Sequence, residues 1–164
     1  MFPDDLIDRA RALIGLCRAQ GVILATAESC TGGLLAGLLT EISGSADVLD
    51  RGFVTYSNAA KAELLGVPAS VLDRHGAVSP ETALAMAEGA LARSRASLAL
   101  SITGVAGPTG GTPLKPVGLV QFGLARPGQP GTTTERRFGD IGRRRVREEA
   151  LRQALAMLET AAQP

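Results

Sequence analysis

The sequence predicts an α/β fold, a three-layer α/β/α sandwich built on a mixed, mainly parallel sheet, as a single domain over residues 1–164. Three observations predict it. Segments with apolar residues at helical spacing alternate with short continuous apolar blocks of strand length, the pattern of helices packed on a sheet. At 45% hydrophobic residues the chain can fill a proper core. The last two strand candidates are joined only by RPGQPG (126–131), which suits a hairpin and hence an antiparallel pair in the sheet.

Leu6, Ile7, Ala10, Leu13, Ile14 and Cys17 recur at helical spacing after Pro3 and two acids, giving an amphipathic helix that ends near Gly21. VILATA (22–27) reads as a short buried strand. Beyond Gly32 and Gly33, LLAGLLTEI reads as a buried helix closed by SGS at 43–45. FVTYS (53–57) is the second strand candidate. NAAKAELLG follows as a short helix, with Asn58 as its N-cap and Gly66 near its end. Ser79, Pro80 and Glu81 carry the start signals of a long helix: a cap, a proline in first position and an acid in the first turn. LALSITGVAG (98–107), VGLVQFGLA (117–125) and TTTERRF (132–138) complete the strands, and a helix from Arg143 to about Ala162 closes the chain.

Composition narrows the function. Seventeen basic against sixteen acidic residues leave a net charge of +1, and only five residues are aromatic. Neither a basic field nor a stacking platform for bases is present, so no nucleic-acid partner is expected. MFPDDLIDRARALIGLC has acids and arginines where a leader peptide needs a basic start and an apolar run, and no stretch reaches ~18 uncharged apolar residues. The expectation is a cytoplasmic protein with no membrane partner. Two cysteines and one histidine make neither a disulfide framework nor a zinc set, so free thiols, no metal and no cofactor are expected.

Chemistry concentrates in loops after strands, where α/β sheets hold their ligands. In ATAESCTGG (25–33), Ser29 sits between a strand and a helix whose first turn includes Thr31, Gly32 and Gly33. It is either a helix cap or a nucleophile with backbone N–H groups directed at developing negative charge. Cys30 is the rival nucleophile or a small buried residue. Fifteen of the seventeen basic residues are arginine, and the two lysines are Lys61 and Lys115. An amine can lose a proton near neutrality when buried and a guanidinium cannot, which makes Lys61 a candidate base. The single tyrosine, Tyr56, precedes it by five residues and could relay a proton. A solvated helix residue and a half-buried strand residue are the alternative readings of these two. GVAGPTGGTPLKPVG (104–118), with five glycines and three prolines, has neither Walker A nor GxGxxG spacing. It forms either a nest of N–H donors for an anion, with Lys115 adding charge, or a rigid structural loop. The arginines of RRRVR (143–147) offer further anion contacts or a solvated face.

TAESCTGG, RGFVTYSNAAKAELLGV, HGAVS, ITGVAGPTGG and KPVG, in this order and spacing, closely resemble the C-terminal domain of the competence-damage protein CinA, a family also found alone as nicotinamide-nucleotide amidase. The resemblance covers about residues 5–160. It implies hydrolysis of the carboxamide of nicotinamide mononucleotide to nicotinic acid mononucleotide and ammonia, a step of pyridine nucleotide salvage. The family's serine, tyrosine and lysine fall on Ser29, Tyr56 and Lys61. A serine nucleophile activated by lysine and tyrosine is thereby implied, with N–H groups from Thr31 to Gly33 serving the oxyanion. Thr103, Gly104, Gly110, Gly111, Lys115 and Arg143 are expected to hold the nucleotide. The family's GDR-x-x-hydrophobic-R stretch is offset here: GDIGRRRVR keeps Gly139 and Asp140 but places R-x-x-V-R at Arg143–Arg147. The resemblance also implies a homodimer. A non-catalytic pyridine-nucleotide-binding module and an amidase for another small amide are the alternatives.

Overall fold

The structure is a computed structural model that describes all residues, 1–164. In chain order its elements are α1 (Asp4–Gln20), β1 (Leu24–Glu28), α2 (Leu34–Thr40), β2 (Leu49–Val54), α3 (Asn58–Leu65), α4 (Ala69–His75), α5 (Pro80–Ala92), β3 (Leu98–Gly104), β4 (Leu119–Ala125), β5 (Thr132–Arg137) and α6 (Arg143–Ala161). One sheet runs in the order β2-β1-β3-β4-β5. The β1–β2 and β1–β3 ladders are parallel; the β3–β4 and β4–β5 ladders are antiparallel. Four strands therefore point one way and β4 alone opposes them. The expected mixed, mainly parallel sheet is present, with the hairpin across RPGQPG.

Alternation along the central strands divides the core in two. Leu24 of β1 and Leu98, Leu100 and Ile102 of β3 pack with α1, α2 and α6. Ala25, Ala27 and Ala99 face the other way, onto Leu65 of α3, Leu72 of α4 and Met86 and Ala90 of α5. This is the three-layer arrangement. Along their outer faces α1 and α6 are joined by ion pairs from Arg9 to Glu159 and from Arg152 to Asp5. No helix is long and apolar enough to cross a membrane.

Local signals set most boundaries. Gly21 ends α1 in the left-handed conformation at φ 65°, and Ser79 Oγ accepts from Thr82 N at the start of α5, with Pro80 in first position. Two expectations are corrected and one helix is added. The second strand lies at Leu49–Val54, not 53–57, because pairing with β1 runs from Leu24↔Leu49 to Glu28↔Val54 and leaves Tyr56 beyond the sheet. LDRGFV has weak strand propensity, and the ladder with β1 overrides it. The N-cap of α3 is Ser57, whose Oγ accepts from Ala60 N, so Asn58 is already helical. Between Pro68 and Gly76 the chain forms α4, a helix the sequence reading did not anticipate.

The connections place the site. From β1 the chain crosses by α2 to β2 at the edge, then by α3, α4 and α5 on the opposite face to β3 on the far side of β1. Such a reversal opens a crevice at the carboxyl ends of β1 and β3.

Candidate active site

A pocket of about 350 Å³ occupies that crevice, with Ser29, Lys61, Thr103, Gly104 and Arg143 among its lining. Ser29 follows β1 directly and is 8% exposed. Its N–H donates to Ile102 O of β3 at 2.9 Å, and its carbonyl accepts from Gly32 N at 2.9 Å, so the residue is held from both sides. Lys61, in the first turn of α3, runs inward and is 1% exposed. Its Nζ lies 2.9 Å from Ser29 Oγ and 2.9 Å from the Thr55 carbonyl oxygen.

This amine has no carboxylate partner, since none of the ion pairs of the chain includes Lys61. Burial lowers its pKa by penalising the ammonium form, while negative charge on Cys30 would raise it. The second influence is absent at neutral pH, because burial and the nearby Glu28 carboxylate push the Cys30 thiol up to about 12. A protonated thiol is a poor nucleophile. The arrangement around Ser29 suits a neutral amine: an N–H donated to Thr55 O, and a lone pair for the serine hydroxyl proton.

The turn from Ser29 to Gly33 differs from expectation. Thr31, Gly32 and Gly33 precede α2 instead of forming its first turn, and the two glycines are left-handed at φ 61° and 93°. Gly32 N is used by Ser29 O, and Gly33 N donates to the Glu28 carboxylate at 3.2 Å. The Thr31 hydroxyl also donates to Glu28, at 2.6 Å. These glycine N–H groups are therefore unavailable to an oxyanion. Within the turn, the N–H groups of Cys30 and Thr31 are the two without an acceptor in the chain.

Around the rest of the pocket, Thr103, Gly104 and Gly110 line the wall, joined by Ala77, Val78 and Thr109. Thr103 Oγ1 donates to Ala77 O at 2.7 Å, which ties β3 to the segment between α4 and α5. Gly111 and Lys115 lie outside it. Lys115 Nζ donates to His75 O at 2.5 Å, linking the glycine-rich loop to the end of α4. Arg143, first residue of α6, donates to Gly107 O at 3.0 Å and to Tyr56 Oη at 3.1 Å. Tyr56 is 62% exposed at the mouth, and its hydroxyl bonds to neither Ser29 nor Lys61. A relay through the phenol is thus not formed; the lysine meets the serine directly. No group of three or more His, Cys, Asp or Glu side chains is placed to hold a metal ion. Glu28 went unassigned in the sequence reading, though it stands next to Ser29 inside TAESCTGG.

The family profile for the CinA C-terminal domain matches residues 7–162. A CinA-like protein of Anaeromyxobacter sp. (strain Fw109-5) is 53% identical over 143 residues, covering 87% of this chain and 34% of that protein. A protein of Caldicellulosiruptor bescii described as a putative competence-damage inducible protein is 49% identical over 146 residues, covering 89% of this chain and 35% of that one. The chain spans about a third of the length of these relatives. Among solved structures, the competence/damage inducible protein CihA from Agrobacterium tumefaciens superposes with a TM-score of 0.97 at 51% identity, covering 99% of both chains. A CinA-superfamily protein from Escherichia coli superposes at 0.90 with 36% identity, over 98% of this chain and 94% of that one.

Proposed function

The chain belongs to the CinA C-terminal domain family, and from that premise we propose that its pocket hydrolyses the carboxamide of nicotinamide mononucleotide to nicotinic acid mononucleotide and ammonia. The observation that carries this reading is the buried Lys61 amine 2.9 Å from Ser29 Oγ. Ser29 Oγ attacks the carboxamide carbon while its proton passes to Lys61 Nζ. The resulting oxyanion faces the acceptor-free N–H groups of Cys30 and Thr31. An amide anion is too poor a leaving group to depart unprotonated, so Lys61 returns the proton to the nitrogen as ammonia leaves. Water then attacks the acyl-serine, again giving its proton to Lys61, and Ser29 is released with the acid product.

Two features favour a pyridine nucleotide among amides. The pyridinium ring is cationic, and a neutral Lys61 does not repel it as an ammonium would. Arg143 lies at the mouth, well suited to the phosphate, and shares the pocket lining with Gly107, Thr109 and Gly110 of the glycine-rich loop. The volume of about 350 Å³ is in the range of small-molecule sites. The test is ammonia release from a panel holding nicotinamide mononucleotide, the riboside, nicotinamide and unrelated small amides. The mononucleotide is expected to have the highest kcat/KM. Nucleotide binding without ammonia release would make the pocket a binding module, and faster release from another amide would make it an amidase of different specificity.

A further inference from the structure

Glu28 is fully buried, the last residue of β1, and none of the steps above uses it. Its carboxylate is saturated. Oε2 accepts from Thr31 Oγ1 at 2.6 Å, Gly33 N at 3.2 Å and Leu35 N at 3.0 Å; Oε1 accepts from Ala36 N at 2.9 Å and Thr26 Oγ1 at 3.3 Å. The helix it reaches has no cap of its own, because Gly33 at the N-cap position has no side chain to offer. A carboxylate from the neighbouring strand thus satisfies the orphan N–H groups of α2, which are the usual source of an oxyanion site after a strand.

The main chain of the same residue reaches the base. Glu28 O accepts from Thr55 N at 2.8 Å, Thr55 O accepts from Lys61 Nζ at 2.9 Å, and that amine lies 2.9 Å from Ser29 Oγ. Nucleophile and base are therefore referenced to one residue, the first through its side chain and the second through its carbonyl. Arg147 braces the turn from outside by donating to Thr31 O at 3.1 Å.

We propose that Glu28 is a positioning residue of the Ser29–Lys61 pair: by binding Thr31 and the first turn of α2 it fixes the nucleophile turn against the base, and it leaves the oxyanion to the Cys30 and Thr31 N–H groups. The proposal rests on the reading of Ser29 as nucleophile. Thr31 thereby becomes the contact through which Glu28 sets the turn, its hydroxyl engaged with protein instead of substrate.

The test is the rate at which phenylmethylsulfonyl fluoride labels Ser29, followed by peptide mass spectrometry, alongside kcat and KM for nicotinamide mononucleotide. Labelling forms an Oγ–S bond, expels fluoride and sends the hydroxyl proton to Lys61, so it reports on the same pair without needing an amide substrate. Glu28→Gln keeps the shape, but sets an NH2 group against N–H donors. It is expected to slow labelling and lower kcat at least tenfold each, with KM within about twofold of wild type. Because a buried carboxylate with five donors also supports folding, Thr31→Val is the second variant. It deletes one donor and leaves four, and is expected to slow labelling and kcat about three- to tenfold, most of which Thr31→Ser recovers. Wild-type labelling in folded Glu28→Gln, or in Thr31→Val, overturns the proposal, as does a loss seen only in KM. The two readings fail separately. Slowed labelling in a chain that hydrolyses no amide refutes the amidase and leaves Glu28 in its role; normal labelling with normal ammonia release in the variants does the reverse.

Discussion

Lys61 Nζ and Ser29 Oγ lie 2.9 Å apart although the residues are 32 positions distant in sequence, and no ion pair includes the amine. The pair singles out the serine of the Ser-Cys dipeptide. Cys30 is buried next to it with a thiol pushed up to about 12, hence protonated at neutral pH. Ser29→Ala is expected to lower kcat by at least about 10³-fold while shifting stability by no more than ~1 kcal/mol. Cys30→Ala is expected to keep most of the activity. Ammonia release and urea unfolding of the two variants check both statements.

Arg143 and Lys115 should separate in their substrate dependence. Arg143 lines the mouth, whereas the Lys115 ammonium is committed to His75 O outside the pocket. Loss of one charge-assisted hydrogen bond to a phosphate is worth about 1.5–3 kcal/mol, so Arg143→Ala is expected to raise KM for the mononucleotide about tenfold or more and to leave the riboside nearly unchanged. Lys115→Ala should affect nucleotide and riboside alike, through the loop it ties to α4. A nucleotide-selective effect at Lys115 would show that the loop moves its ammonium into the site when substrate binds.

The buried lysine also leaves a mark on stability. Its pKa is below the ordinary 10.5 because burial disfavours the charged form. Between the lowered value and 10.5 the unfolded chain therefore binds more protons at this position than the native one, and stability rises with pH across that window. The cost of the buried amine is fully present below the lowered pKa and is relieved as pH climbs. Lys61→Met should remove this contribution, so the stability difference between variant and wild type should shrink with rising pH. Urea unfolding of both proteins at each pH isolates it, because the two cysteines are common to wild type and variant and cancel in the difference.

Gly89 of α5 sets how closely α3, the helix carrying Lys61, approaches. A Cβ there would run into the backbone carbonyl of Leu65, with Leu65 Cβ at 3.1 Å. Backbone cannot yield as a side chain end can. Gly89→Ala is expected to destabilise the protein by about 1–3 kcal/mol, more than the ~1 kcal/mol that alanine returns in helix propensity. The urea midpoint checks the sign.

Elements bounded by local chemistry were legible in the sequence: α1 up to its left-handed Gly21, α5 from Ser79-Pro80, and the β4–β5 hairpin from RPGQPG. β2 was not, because LDRGFV owes its strand to pairing with β1, and α4, with seven residues, is too short to show a helical period. At the site, the scarcity of lysine pointed to Lys61 and Lys115 with equal force, and only the fold separates an amine facing Ser29 from one tied to His75 O. A glutamate ending a strand reads as an ordinary acid until the start of α2 is folded onto it, which is why Glu28 left no signal. The Tyr56–Arg143 contact spans 87 positions and was equally hidden.

The claim that a neutral Lys61 is the base for Ser29 is tested most directly by kcat/KM for nicotinamide mononucleotide, followed as ammonia release across pH, in wild type and Lys61→Arg. Arginine keeps the positive charge and much of the length but holds its proton throughout the accessible range. The wild type is expected to rise with pH along a limb set by the lowered lysine pKa and then level off. Lys61→Arg is expected to lose at least about 10³-fold with no such limb in what remains. Near wild-type kcat/KM in Lys61→Arg, or the same limb in both proteins, would contradict the account and place the proton on another group.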